Sequence, residues 1–210
     1  MLFHPTTFWN LMARRYARTP VKNVEAYQYK LDMIARSLSP QDRLLEFGCG
    51  TGTTALIHAA RVSHIDAIDF SSEMIAIARE KAAEQSVTNV RFEVATLEDW
   101  PIGEDGDGYD AVLGMSILHL VADLDETLGQ VYRALKPGGL FFSSTACIAG
   151  QFGWVRYILP PLGAIGLLPK ILVLTQDMLT QAMTAQGLTI EHVWQPSKEA
   201  AAFVIARKPE

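Results

Sequence analysis

The run Leu44-Leu45-Glu46-Phe47-Gly48-Cys49-Gly50-Thr51-Gly52 constrains the fold more than any other stretch of the chain. A short apolar run ending in glycine reads as a buried strand entering a turn. Residues 53–61 follow with helical character. Glycine reaches dihedrals closed to other residues and lets another group come close to the main chain. Strand, glycine turn and helix in that order open a βαβ unit, whose two strands run parallel. The glycines alone are equally compatible with a tight turn that holds no ligand.

The pattern then repeats along the chain. Strands are expected at 43–47, 65–69, 90–94, 111–115 and 140–145, with helices at 53–61, 72–84 and 123–135 between them. Ser71 is a helix cap. Lys136-Pro137-Gly138-Gly139 reads as a turn. A helix capped by Thr175 ends near Gly187, and strands at 188–193 and 202–206 finish the chain. These last two strands are joined only by a short turn near Pro196 and Ser197, so they pair antiparallel. Two amphipathic helices, at 7–18 and 23–37, precede the first strand. Alternating strands and helices imply an α/β chain with a doubly wound, mostly parallel sheet.

A chain of 210 residues suits one such domain. The net charge of -5 and the lack of a long basic run argue against nucleic acid as a partner. Cys49 and Cys147 form neither a disulfide framework nor a metal-ligand pattern, so no metal is expected. No signal peptide is apparent, and the cytoplasm is the default location. Residues 148–174 are strongly apolar, but Arg156, Lys170 and three prolines break the run below the ~18 residues a spanning helix needs.

Asp69 gives the glycine turn a chemical context. It ends the second strand, beside the turn in this topology, where a carboxylate can accept from both hydroxyls of a ribose. The alternative is a surface aspartate beside the following helix. Phe70 follows and suits packing on an adenine. The dinucleotide fingerprint is G-x-G-x-x-G, with a pyrophosphate on the helix N-terminus. Here the spacing is G-x-G-x-G, and Glu46 precedes it. A carboxylate at that point repels a pyrophosphate and attracts an ammonium.

On these residues, and on the antiparallel strand pair at its end, the chain resembles the class I S-adenosylmethionine-dependent methyltransferases over roughly 40–145. The resemblance implies a Rossmann-like, seven-stranded, doubly wound sheet, mostly parallel with an antiparallel C-terminal strand pair. It implies S-adenosyl-L-methionine as cofactor and S-adenosyl-L-homocysteine as product. Glu46, Gly48, Cys49, Gly50 and Gly52 would form the cofactor loop. Asp69, Phe70 and Met74 would hold the ribose and border the adenine. Thr96 and Leu97 align with the adenine-binding segment, although Thr96 stands where many members carry an aspartate. Met115 opens the loop that faces the methyl donor, and Tyr16 on the first helix is a candidate cofactor contact. The implied layout is an N-terminal helical lid at 1–40, a cofactor core at 41–145, an apolar insertion at 146–174, and the last helix with its strand pair at 175–210.

Methyl transfer from a sulfonium is an in-line displacement that asks chiefly for alignment and a dry site. His119, beyond the fourth strand at the carboxyl edge of the sheet, is the candidate catalytic base. The alternative is a structural histidine. The insertion carries Phe152, Trp154, Tyr157 and several aliphatic residues. It reads as a lid over a small hydrophobic acceptor, with a dimer interface or a peripheral membrane contact through 152–174 as alternatives. The chain is then a monomer or a homodimer. Two competing readings are a non-catalytic S-adenosylmethionine-binding protein and a nicotinamide-dependent oxidoreductase.

Overall fold

The computed structural model describes residues 5–102, 108–147, 171–197 and 200–210. Helix α1 (Pro5–Arg18) begins on a proline, whose fixed φ suits a first helical turn, and buries Ala13. Helix α2 (Val24–Arg36) is capped by Asn23, whose side chain accepts from the Ala26 N–H at 2.9 Å. Its buried residues are Leu31 and Ile34. The alternation then runs β1 (Arg43–Phe47), α3 (Thr53–His58) with a 3-10 turn at Ala59–Arg61, β2 (His64–Asp69), α4 (Ser72–Glu84), β3 (Val90–Val94) and β4 (Tyr109–Met115). It continues through α5 (Leu124–Ala134), β5 (Leu135–Thr145), α6 (Gln176–Ala185), β6 (Thr189–Trp194) and β7 (Ala202–Arg207). Ser71, Asp123 and Thr175 cap α4, α5 and α6, each accepting from the N–H three residues on.

The seven strands form one sheet in the order β3-β2-β1-β4-β5-β7-β6. The first five pair parallel, and β7 lies antiparallel to both β5 and β6. The chain winds outward from β1 through β2 to β3, then returns to place β4 on the other side of β1. The carboxyl ends of β1 and β4 therefore meet at the switch point, where open α/β sheets form a ligand crevice. The glycine turn leaves β1 at that point.

The core has two faces because successive side chains of a strand alternate. Leu44, Ile65, Leu113, Phe142 and Phe203 pack on one face of the sheet. Leu45, Ile68, Val112, Phe141 and Val204 pack on the other. β1 is buried from Leu44 to Phe47, as a central strand covered by helices on both sides must be.

The expected elements recur with boundaries shifted by a residue or two, and one element differs in kind. Residues 136–139 lie within β5 rather than in a free turn. Leu135 already pairs with Tyr109, and the ladder resumes at Ala111 and Leu140 after a register shift. Gly138, at φ +75°, absorbs the excursion, and the Lys136 ammonium ties it to the Asp110 carboxylate at 2.9 Å. Most of the apolar insertion, 148–170, lies outside the described residues, and with it the expected lid. The stretch after it crosses the loop beyond β4: Leu172 N donates to the His119 carbonyl at 2.8 Å, and Leu174 is buried. No described helix is long and apolar enough to cross a membrane.

Candidate functional site

The three glycines of the turn all take left-handed φ, between +54° and +73°, yet they meet different surroundings. A Cβ on Gly52 would lie 2.7 Å from the Phe92 ring and 2.8 Å from Ala78, so this glycine lets α3 and α4 close on the sheet. A Cβ on Gly48 would lie 2.6 Å from the Ile117 side chain. Gly50 faces open space, its nearest neighbour being Tyr16 at 3.7 Å. The turn is pinned to the next strand by Cys49 N donating to the Ile68 carbonyl at 3.0 Å.

Asp69 completes the pin. One carboxylate oxygen accepts from Gly50 N at 2.9 Å and the other from Ser71 N at 2.8 Å. Burial raises its pKa above the ordinary carboxylate value, and the two backbone N–H groups act against that rise. Each oxygen keeps a second lone pair, so the carboxylate can still accept from a ligand.

Glu46 stands at the end of β1, opposite Ala67 of β2 and Leu113 of β4. It is 2% exposed, and its Oε2 has no hydrogen-bond partner. Burial pushes its pKa up to about 8, Asp69 adds to the rise, and a backbone hydrogen bond from Ala55 opposes it. Tyr16 and Cys49 feel both carboxylates, and their pKa values rise too, chiefly through burial. The crevice is therefore electronegative where the turn meets β1.

Two cavities adjoin at Gly48. One, of about 300 Å³, lies between the N-terminal helices and the turn. Its wall includes Tyr16, Tyr27, Lys30, Glu46, Gly48, Cys49, Gly50, Met115, Ser116 and Ser144. The other, of about 280 Å³, is lined by Asp69, Phe70, Thr96, Leu97, Glu98 and Ile117 among others, and is the more apolar. Helix α1 is held over the site by the Asn10 side chain, which accepts from the Ser71 hydroxyl at 2.6 Å. That contact keeps Tyr16, half-exposed, above Gly50.

The structure thus brings together Tyr16, Glu46, Gly48, Cys49, Gly50 and Met115 around one cavity, and Asp69, Phe70, Thr96 and Leu97 around the next. The Thr96 hydroxyl is committed to its own loop, donating to Asp99 Oδ2 at 2.8 Å and accepting from Asp99 N. Three expected residues line neither cavity. Gly52 serves packing. Met74 is 3% exposed in the first turn of α4, where its N–H bonds the Ser71 hydroxyl, so it is set into the core. His119 lies in the loop after β4 with its Nδ1 buried and without a hydrogen-bond partner, and burial lowers its pKa. Among the lining residues that the sequence reading did not assign to the site are Tyr27, Lys30 and Ser144. Tyr27 lies on the apolar stripe of α2 and Lys30 beside it, whereas nothing local marks Ser144 on β5.

Residues 44–139 match the model of the family described as a methyltransferase domain. The chain is 34% identical over 136 residues to the ubiquinone/menaquinone biosynthesis C-methyltransferase UbiE of Geotalea daltonii, covering 61% of this chain and 57% of that protein. It is 33% identical over 149 residues to a ubiquinone biosynthesis O-methyltransferase of Xanthomonas campestris pv. campestris, covering 68% of this chain and 62% of that protein. The chain therefore spans about three fifths of the length of these curated relatives. The solved structure of the YcgJ protein from Bacillus subtilis matches with a TM-score of 0.70 at 17% identity, over 87% of this chain and 99% of that one, a likeness of fold. With that match over the core, this strand order and a glycine turn at the switch point, residues 44–139 are recognised as a class I S-adenosylmethionine-dependent methyltransferase domain.

Proposed function

We propose that this chain binds S-adenosyl-L-methionine across the two cavities and transfers its methyl group to a small, hydrophobic acceptor. The observation that carries the reading is the orphaned Glu46 carboxyl in an electronegative crevice beside Asp69. A buried polar atom without a partner is costly unless a ligand satisfies it. A cationic ligand satisfies this one by favouring its ionised form, a gain that a pyrophosphate does not offer. The same observation disfavours a nicotinamide dinucleotide.

The residues fit the cofactor part by part. Glu46 suits the ammonium of its methionine portion, the Gly48 to Gly50 main chain suits close approach, and Asp69 suits the ribose. Phe70 and Leu97 offer apolar faces to the adenine, with Glu98 at the rim of the same cavity. With the Thr96 hydroxyl spent on Asp99, the adenine amino group is left to Glu98 or to main-chain carbonyls. Bound there, the cofactor supplies a methyl group already activated as a sulfonium.

The protein's task is then alignment and exclusion of water. Helices α1 and α2 act as the lid over the first cavity. His119, neutral at physiological pH because burial disfavours its charge, is the candidate base where the acceptor must lose a proton. The relatives include both a C- and an O-methyltransferase, each of a quinone pathway, which supports a small organic acceptor and leaves the atom open.

Calorimetric titration with S-adenosylmethionine and S-adenosylhomocysteine, on wild type and Asp69→Ala, tests this first. Saturable binding that falls roughly 10- to 100-fold in the variant is expected from loss of hydrogen bonds to a charged acceptor. No binding of either ligand to the folded wild type refutes the reading.

A further inference from the structure

Lys30 lies on the wall of the first cavity, and neither the fold nor the cofactor reading accounts for it. Its ammonium donates to the Ser144 hydroxyl oxygen at 2.7 Å. An ammonium has three donors, and among the described residues no carboxylate stands within ion-pair distance of this one. Burial lowers its pKa. A half-buried lysine without a counter-ion is unfavourable in isolation and gains most from an anion.

Its position in the crevice says which anion. Ser144 is near the end of β5, paired in register with Met115 of β4, and its carbonyl accepts from Ser116 N at 2.7 Å. Ser116 holds φ +62°, a left-handed conformation unusual outside glycine, and lines the same cavity. Lys30 therefore stands over the β4–β5 edge. Asp69 and the glycine turn stand over β2 and β1. Because Ser144 accepts from Lys30, its own hydroxyl proton is free to donate. Two donors thus converge on the side of the cavity away from the ribose anchor.

We propose that Lys30 and Ser144 bind an acidic oxygen of the methyl acceptor, which narrows the acceptor class to apolar molecules carrying a phenolate, enolate or carboxylate. This rests on the methyltransferase reading above. Lys30 is a specificity residue in this scheme, fixing the acceptor against the β4–β5 edge.

The test uses matched aromatic probes: 2-naphthoate against 2-naphthamide, and 2-naphthol against 2-methoxynaphthalene. Each is titrated into the full chain saturated with S-adenosylhomocysteine. Wild type should bind the acidic member of at least one pair tenfold or more tighter than its neutral partner. Lys30→Met should abolish that preference, Lys30→Arg should restore part of it, and S-adenosylhomocysteine affinity should stay within twofold in both. Equal or undetectable affinity for both members of each pair overturns the inference. So does a tenfold loss of S-adenosylhomocysteine affinity in Lys30→Met, which would assign the lysine to the carboxylate of the cofactor. Failure of wild type to bind S-adenosylhomocysteine at all refutes instead the cofactor reading on which the inference rests.

Discussion

Replacing Glu46 by Gln should stabilise the ligand-free protein increasingly as pH rises, while weakening the cofactor. The folded carboxyl holds its proton to about pH 8, against an ordinary value of 4.5. The unfolded chain ionises from about pH 4.5 upward. A folded pKa raised above the unfolded one contributes stability that is whole below 4.5 and is lost as pH climbs towards 8. Between pH 5 and pH 8 the loss amounts to about 3.5 kcal/mol for a shift of this size. Gln does not titrate, so the gap between variant and wild type should move by that amount in favour of the variant. The new amide N–H group lacks an acceptor and adds a penalty of about 1–3 kcal/mol, but that penalty does not vary with pH. The slope therefore isolates the ionisation. Urea unfolding at pH 5, 6, 7 and 8 measures it. Calorimetry of S-adenosylmethionine binding at pH 7, in buffers of different ionisation enthalpy, measures the other half. Wild type should release close to one proton as Glu46 ionises against the ligand ammonium, and the variant none. Parallel stability profiles for the two proteins would refute the reasoning, because Glu46 would then titrate alike in folded and unfolded chains.

Two further outcomes follow from the same geometry, and a third from the apolar sequence of 148–174. Gly52→Ala should destabilise the protein by about 2–4 kcal/mol, since its Cβ meets Phe92 and Ala78 under 3 Å, whereas Gly50→Ala should cost only about 1 kcal/mol of left-handed strain; thermal unfolding ranks the two. His58 is fully buried with both ring nitrogens unpartnered, and burial pulls its pKa down to about 4, with Arg61 adding to the drop. Its contribution is present above pH 6.5 and lost as pH falls, by about 2 kcal/mol at pH 5, so His58→Leu should remove that rise and leave a urea-unfolding profile that falls with pH from about 5 upward, as the opposing Glu46 slope is exposed. Deleting residues 152–168 should abolish acceptor turnover and leave S-adenosylhomocysteine affinity intact by calorimetry; loss of oligomerisation instead would assign the segment to an interface.

The switch point was legible because its signals are local. A glycine turn after an apolar run, an aspartate at the end of the next strand and a short link between the last two strands each depend on a few adjacent residues. What was not legible depends on side chains that meet only after folding. Met74 follows Asp69 closely enough to suggest adenine contact, but the first turn of α4 sets it into the core. Thr96 looked available, but Asp99, three residues on, takes both of its hydrogen bonds. Lys30 reads as a solvated helix residue until Ser144, 114 positions away, is brought to 2.7 Å. Local pattern located the crevice, and long-range pairing decided which residues face it.

Glu46 and His58 also have to be weighed together, because they bracket the same glycine turn from β1 and α3. His58 makes the ligand-free protein more stable as pH rises from about 4 to 6.5, and Glu46 makes it less stable from about 4.5 to 8. Over the shared interval the slopes oppose and largely cancel. The wild-type profile should therefore be nearly flat on the acid side and fall only above about pH 6.5, which on its own hides both groups. A cofactor with an ammonium relieves Glu46 and does nothing for His58. At fixed ligand concentration its stabilising effect should thus grow as pH rises towards 8, whatever His58 does. A dinucleotide or a ligand bound elsewhere has no reason to follow that curve, so the pH dependence of ligand-induced stabilisation tests which atoms the ligand touches.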